Sequence, residues 1–440
     1  MNKRGLAVAV INHGCKLNQY EGETLENDFS DLGFRITDLK KTEHPDIVIV
    51  NTCTVTGTSD RKSRASIYKA IATKKTKGLV IVTGCYAQTD STFLRRIEGV
   101  DFVIGNPQKA AIPEFVKAYF NHNSFNIKEE DLSFRFRGPE YPHRSRVYVK
   151  VQDGCNMSCS YCKVPNARGR SRSRPPEDVL SYVKKILENG YSEIVLTGIN
   201  LGDYHYGNMG LSSLISKLLS IDSSFRIRLS SIEPFYFGND LIDIISNNRI
   251  VPHFHIPVQS GANRILKLMN RPYDVDMYVE LLKKIESLRP DCHFATDLIV
   301  GFPTERKEDF DHTLKLIHTV GFGSLHVFKY SPREGTRAFY MKDDVRYDEK
   351  AARSKELISV GQDLNYRYRM KFLGAIRDVI FEGKGSSEQK KDGLWEGITD
   401  NYIRVKLASP FGKNLERRML PVRITEVKET CTYGEIALEP

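Results

Sequence analysis

Apolar runs and helix-like stretches alternate through the first third of the chain. Residues 6–11, 46–50, 79–83 and 102–104 are short runs dominated by Val, Ile and Leu, the pattern of strands buried on both faces. Between them, residues 21–32, 59–73 and 110–120 place apolar side chains at helical spacing. Strands that alternate with helices in this way build a parallel sheet, so an N-terminal open α/β sheet is expected over residues 1–121. Residues 122–143 are polar and irregular and read as a connector.

From residue 144 the alternation resumes with a longer period. Six strand candidates, at 147–152, 193–197, 226–230, 253–258, 294–300 and 325–330, are each followed by a helix-like stretch. Those at 176–187 and 305–318 begin with proline or acidic residues, as helix starts do. Repeated strand–helix units make a parallel barrel or part of one; eight units would close a full barrel, and six are present. An amphipathic run at 348–372 then leads to a tail with short strands at 377–382, 395–399, 403–406, 421–427 and 434–438, and a turn at Lys391-Asp392-Gly393. That pattern predicts a small β-barrel. The chain is thus expected to be α/β and multidomain, with parts at 1–121, 122–143, 144–373 and 374–440.

Length agrees, since 440 residues exceed what one hydrophobic core of roughly 250–300 residues can organise. The amino terminus has a seven-residue apolar run without a small-residue cleavage site, and no stretch is apolar over membrane-spanning length. A cytoplasmic protein with no membrane partner is expected. The formal charge of +10 is unevenly spread. Residues 135–174 hold ten Lys or Arg against two acids, and residues 61–77 hold seven against none, whereas the last seventy residues are nearly neutral. The two basic stretches are candidates for binding a polyanion.

Eight cysteines, in a chain without an export signal, point to metal or redox use more than to disulfides. Cys155-Asn-Met-Ser-Cys159-Ser-Tyr-Cys162 sets three thiols in one short loop after a strand and Gly154. A closed zinc site needs a fourth ligand and none lies nearby, so three thiolates suit a [4Fe–4S] cube with one open iron better. Cys15, Cys53 and Cys85 each follow one of the N-terminal strands. Loops beyond the carboxyl ends of parallel strands share one crevice, so these three could meet at a second metal centre, or be unrelated small core residues. Cys292 and Cys431 lack partners at ligand spacing and read as structural. His253 and His255 alternate along one strand, as a ligand pair or, more simply, as barrel lining.

The C-x3-C-x2-C loop with Tyr161 before its last cysteine resembles the radical S-adenosylmethionine (SAM) superfamily signature. The ordered set Gly14-Cys15-Lys16, Asn51-Thr52-Cys53 and Gly84-Cys85 is similar to the methylthiotransferase family within it. The match extends through Val164-Pro165, Arg168-Gly169, Arg172-Ser173-Arg174, Pro257-Val-Gln-Ser-Gly261 and Gly301-Phe302-Pro303-Thr304. The resemblance implies a partial (β/α)6 radical-SAM barrel and a C-terminal β-barrel of the TRAM type. It implies two [4Fe–4S] clusters, one on Cys15, Cys53 and Cys85 and one on Cys155, Cys159 and Cys162, the latter chelating SAM. Tyr161, Thr197, Asn200, Ser231, Glu233 and Gln259 would lie around SAM. Glu233 could instead be a helix-start residue before Pro234, and Arg174 could hold either the SAM carboxylate or a tRNA phosphate.

The family's branches act on isopentenylated adenosine in tRNA, on threonylcarbamoyl-adenosine in tRNA, or on an aspartate of a ribosomal protein. Residues 51–64 and Thr197-Gly-Ile-Asn-Leu-Gly-Asp-Tyr204 are similar to the threonylcarbamoyl branch. By this resemblance one SAM methylates a sulfur at the first cluster and another supplies the radical that removes hydrogen from adenine carbon 2. A reductase and a sulfur donor are implied partners. Arg135, Arg137, Arg144, Arg146, Arg168 and Arg172 are the candidate tRNA contacts, since neutralised phosphates dominate such affinity. The near-neutral tail, with scattered Arg404, Lys406, Arg417 and Arg418, offers few. A zinc-containing RNA-binding module is the alternative of another class; it accounts for the charge but not for three thiols with an open fourth position.

Overall fold

The structure, a computed structural model, describes residues 5–39, 44–125, 127, 132–382, 394–408 and 414–437. Two compact units emerge. The first comprises Met1–Pro142, Tyr148–Tyr182 and Ser331–Thr336, the second His143–Val147, Val183–Tyr330 and Arg337–Pro440.

The first unit is built on a parallel sheet in the order β2-β1-β3-β4-β5, with β1 at Ala7–Asn12, β2 at Arg35–Ile36, β3 at Ile47–Thr52, β4 at Leu79–Gly84 and β5 at Phe102–Val103. Every residue of β3 and β4 is buried, as expected of strands covered on both faces. Each Val or Ile sealed there contributes about 1.5–3 kcal/mol. The edge strand β2 was not foreseen: two residues, one exposed and one half-buried, leave no apolar signature, and the strand exists because Arg35 and Ile36 pair with Ala7 and Val8. Helix Lys16–Asp31 starts earlier than its apolar spacing suggests, directly after Cys15. Helix Gly57–Thr73 starts where the Thr56 side chain accepts from the Ser59 N–H. Asn12 registers with Asn51, Asn51 with Thr83 and Thr52 with Gly84, so the chain leaves β1, β3 and β4 at one edge of the sheet.

The second unit holds the parallel strands β6 (Glu193–Thr197), β7 (Arg226–Leu229), β8 (His253–His255), β9 (His293–Val300) and β10 (Ser324–Lys329). β6 pairs with β7, and β8, β9 and β10 pair in that order. β8 is shorter than its apolar run implied. Past His255 the chain turns through Gln259, whose φ of 71° lies in the left-handed region, and rejoins β9 by a single bridge to Leu298. The first candidate strand is likewise interrupted, as Arg146–Lys150 and Gln152–Asp153.

After helix Tyr347–Met370 the chain closes a five-stranded barrel from Ile376–Phe381, Trp395–Thr399, Arg404–Leu407, Met419–Val427 and Thr432–Ile436. Its core is Val379, Phe381, Val405, Leu407, Val422 and Ile424. The expected strands are present, while Leu438 and the Lys391-Asp392-Gly393 turn lie outside the described residues. This barrel is seated on the amino ends of the parallel strands. Arg226 donates to Glu193 at 2.6 Å and to the Asp378 and Ile398 carbonyls, and Arg228 donates to Glu193 at 2.7 Å and to the Thr399 and Asp400 carbonyls. Burial would raise the Glu193 carboxyl, but the two arginines hold it down at about 2. With their amino ends covered, the parallel strands keep their carboxyl ends for chemistry. Among the described residues no helix is long and apolar enough to cross a membrane.

Candidate active site

The edge where β1, β3 and β4 end gathers Cys15, Cys53 and Cys85. Gly14 takes φ of 96°, and a Cβ there would lie 2.8 Å from the Cys53 Cβ and 2.9 Å from its Sγ. Only glycine lets the Cys15 loop approach Cys53 so closely. Burial pushes the Cys53 thiol up to about 11, and repulsion from Cys85 and Cys15 acts in the same direction. Cys15 is open to solvent at the rim, yet the protein around its sulfur raises it as well, with Arg168 partly opposing and Cys85 adding to the effect. Cys15 and Cys53, which resist ionisation alone, are stabilised as thiolates when a cation centre takes them together.

Cys155, Cys159 and Cys162 belong to the same unit. Gly154 takes φ of 74°, and a Cβ there would fall 2.0 Å from the Arg170 carbonyl, so the loop can fold back only with glycine before Cys155. The Cys155 N–H donates to the Gly169 carbonyl, the Cys162 N–H to the Cys159 carbonyl, and the Met157 N–H points at the Cys155 Sγ from 3.4 Å. All three cysteines are half-buried, as is Tyr161. The two cysteine sets are stitched together by Asn106, whose amide donates to the Ala167 carbonyl at 2.8 Å and contacts the Cys85 Sγ at 3.6 Å. Lys163 adds an ion pair with Asp90 at 3.0 Å.

Behind both sets lies a buried ionic network. Arg168 reaches Glu21 and Asp153 at 3.0 Å, Lys109 reaches Glu21 at 2.5 Å, and Lys150 reaches Glu21 and Asp153 at 2.7 Å each. Burial alone would neutralise the carboxyls, but Arg168 foremost holds Glu21 well below the usual range and Asp153 below it. Three cations face two carboxylates. Lys150, with both carboxylates, is raised; at Lys109, which meets Glu21 alone, desolvation wins and the ammonium is lowered. The unit of positive charge left over is felt at Cys15 and belongs beside an anionic centre. The glycine cradles and this charge fit thiolate-bound clusters.

In the second unit Thr197 ends β6, and Asn200 follows it, donating to the Tyr236 hydroxyl. The Ser230 hydroxyl beyond β7 is buried with no partner among the described residues, and Ser231 beside it is half-buried. Such a polar atom at a strand's carboxyl end suits a polar cofactor. Gln259 bridges to β9 through its backbone, donating to the Asp297 carbonyl and accepting from Ile299. Glu233 stands at the start of the 3-10 turn Pro234–Tyr236, as a helix-start residue does, but its side chain makes no cap and its carboxylate is engaged by Arg271.

Several of the arginines expected to meet tRNA turn inward. Arg168 is 1% exposed and spent on Glu21, Asp153 and Asn18, which removes it as a phosphate contact. Arg146 is paired with Glu382 at 2.5 Å, and Arg172 donates to the Arg168 carbonyl. Arg174 is buried, donates to the Tyr20 hydroxyl and lies over the Tyr182 ring. Arg135, Arg137 and Arg144 are exposed. Cys292 is buried and Cys431 half-buried, and His253 is stacked on Tyr402 at 4.0 Å as lining. Sequence reasoning missed Asn106, Glu21, Lys109 and Arg333. The last donates to Asp60 and to Thr54, next to Cys53, from the returning Ser331–Thr336 segment.

The model of the radical SAM superfamily matches residues 149–317, and that of the uncharacterized protein family UPF0004 matches residues 7–105. The threonylcarbamoyladenosine tRNA methylthiotransferase MtaB of Bacillus subtilis (strain 168) is 36% identical over 407 residues, covering 90% of this chain and 89% of that one. The tRNA-2-methylthio-N(6)-dimethylallyladenosine synthase of Geobacillus kaustophilus (strain HTA426) is 33% identical, covering 99% and 83%. The radical SAM methyltransferase TsrM of Kitasatospora setae, solved with cobalamin and a [4Fe–4S] cluster, shares the fold at 12% identity with a TM-score of 0.56, over 77% of this chain and 74% of that one. Matching models on both cysteine-bearing regions, and relatives of this identity over nearly its whole length, make the chain a member of the radical-SAM methylthiotransferase family.

Proposed function

We propose that this enzyme places a methylthio group on carbon 2 of threonylcarbamoyl-adenosine next to the anticodon of tRNA. Enzymes of this family use SAM and [4Fe–4S] clusters, which supply, when bound, reductive cleavage of SAM and a sulfur for transfer. In this reading Cys15, Cys53 and Cys85 hold one cluster and Cys155, Cys159 and Cys162 the other. Asn106, bonded to the Cys85 sulfur and to the Ala167 carbonyl at once, is the single observation that carries it: both thiol sets serve one reaction space. The carbon–hydrogen bond of an aromatic base is beyond side-chain general bases, so the residues bind, orient and exclude water. Thr197, Asn200, Ser231 and Gln259 are assigned to SAM, with the parallel strands as a partial (β/α)6 barrel.

Exposed Arg135, Arg137 and Arg144 are assigned to tRNA phosphates, with a TRAM-type role for the C-terminal barrel, a cytoplasmic setting, and a reductase and a sulfur donor as further partners. The threonylcarbamoyl substrate is supported by the identity to the Bacillus relative over nine-tenths of the chain. Incubating the reduced, cluster-loaded enzyme with SAM and tRNA carrying each modified adenosine tests it: methylthio product from the threonylcarbamoyl form is expected, and product from the isopentenyl form alone would refute it.

A further inference from the structure

Inside the second unit one cluster of titratable groups is used by nothing described so far. The Asp297 Oδ1 accepts from His255 Nε2 at 2.9 Å and from His326 Nδ1 at 3.0 Å. Strand register builds this: Asp297 of β9 lies directly opposite His326 of β10, and His255 of β8 opposite Ala295. On β9 the neighbouring Thr296 faces the helix Val275–Leu288, whose Tyr278 hydroxyl it meets at 3.3 Å. Side chains alternate along a strand, so Asp297 points to the face of the sheet opposite that helix, and its two imidazoles with it. Burial would raise the Asp297 carboxyl, but the imidazoles, His255 foremost, hold it well below the usual carboxylate range.

His326 is 47% exposed, and its Nε2 has no hydrogen-bond partner among the described residues. Two positions on, and so on the same face, Phe328 is 42% exposed. A fixed imidazole and a bare aromatic ring on one face of the strand are a pair of contacts for an aromatic base that carries an anion. Rings of this kind stack on bases whatever their sequence, and the imidazole supplies the selective donor. With Nδ1–H spent on Asp297, a donor at Nε2 is an imidazolium N–H, and an incoming carboxylate is the group that accepts from it.

The rival occupant is a divalent ion, because the three ligand atoms lie within 4.8 Å of one another. The geometry disfavours it. Both imidazole nitrogens aim at the same carboxylate oxygen and so carry protons there, whereas a cation needs their lone pairs.

We propose that His326, oriented by Asp297 and His255, binds the amino-acid carboxylate of the threonylcarbamoyl substituent while Phe328 stacks on the adenine. This rests on the substrate reading above and adds the residues that enforce it: an isopentenyl group has no anion to offer, and leaves the imidazolium unpaired.

The test uses the cluster-loaded holoenzyme and two tRNAs, one with free threonylcarbamoyl-adenosine and one with its carboxylate methyl-esterified. For the wild type, kcat/KM should favour the acid by about 10- to 100-fold, mostly through KM, the range of a hydrogen bond to a charged group. In His326→Phe the preference should vanish, and in His326→Lys, which restores a cationic donor, it should partly return. Wild-type indifference between acid and ester overturns the inference even if the variants fail to fold, and an undiminished preference in a folded His326→Phe does the same. So does a non-cluster divalent ion retained at about one per chain and lost in Asp297→Asn. Turnover of isopentenyl-adenosine tRNA with none on either threonylcarbamoyl form overturns the substrate reading together with this inference, whereas acid–ester indifference overturns this inference alone.

Discussion

Arg168, which follows the Cys155–Cys162 loop, donates to the carboxylate of Glu21, which follows Cys15, across 3.0 Å of fully buried space. One ion pair thus ties the supports of both thiol sets. Replacing Glu21 with Gln leaves Lys109 without a carboxylate and Lys150 and Arg168 with Asp153 alone. Removing one partner from a buried pair costs about 3–5 kcal/mol. Urea unfolding of Glu21→Gln should show a loss of that order, and iron should be lost from both sets, not from one. Loss confined to a single set would mean that the network does not join them.

If each thiol set holds one cube, the enzyme reconstituted without oxygen binds about eight irons. Cys53→Ala and Cys159→Ala should each retain about four, and only Cys159→Ala should lose SAM cleavage. Iron and sulfide analysis with deoxyadenosine quantification checks this. Four irons in the wild type, or deoxyadenosine from Cys159→Ala at the wild-type rate, would contradict the ligand assignment.

Neutralising Arg135, Arg137 and Arg144 together should weaken tRNA binding and flatten its salt dependence. Each lost phosphate contact lowers the logarithmic slope by roughly 0.7–0.9. Adding Arg146→Gln, which breaks a pair with Glu382, should change the slope little. Binding isotherms across salt concentrations read both effects, and an unchanged slope in the triple variant would assign that charge to a solvated surface.

Charge along the sequence does not say which of these side chains face solvent. The stretch from Arg135 to Arg174 reads as one basic patch, yet Lys150, Arg168 and Arg174 are buried and neutralise carboxylates or cover rings. Nothing local distinguishes Arg168 from exposed Arg170, because the partner Glu21 lies far away along the chain. The glycines before the cysteines, the strand cores and the C-x3-C-x2-C loop were legible, since each depends on local backbone geometry and residue type. The edge strand β2 and the His255–Asp297–His326 cluster were not. Both exist only through register between strands distant in sequence.

His293 makes the second unit acid-sensitive. Burial lowers its pKa to about 3 from 6.5, so the folded state stays neutral where the unfolded chain takes up a proton. Stability from this residue is intact above pH 6.5 and is lost as pH falls from there toward 3. Between pH 7.5 and 5.5 the loss is about 1.4 kcal/mol. His293→Gln should be less stable at pH 7.5 but show a shallower decline on acidification. Denaturant midpoints at the two pH values decide it, and parallel declines for both proteins would rule His293 out as the source.

Methylthiolation of threonylcarbamoyl-adenosine in tRNA is decided by nucleoside mass spectrometry of tRNA from cells lacking this protein's gene. The methylthiolated threonylcarbamoyl nucleoside should disappear, its precursor without the methylthio group should accumulate, and the wild-type gene should restore the original mass, while Cys159→Ala should not. Loss of methylthio from isopentenyl-adenosine instead, or an unchanged nucleoside profile, would contradict it.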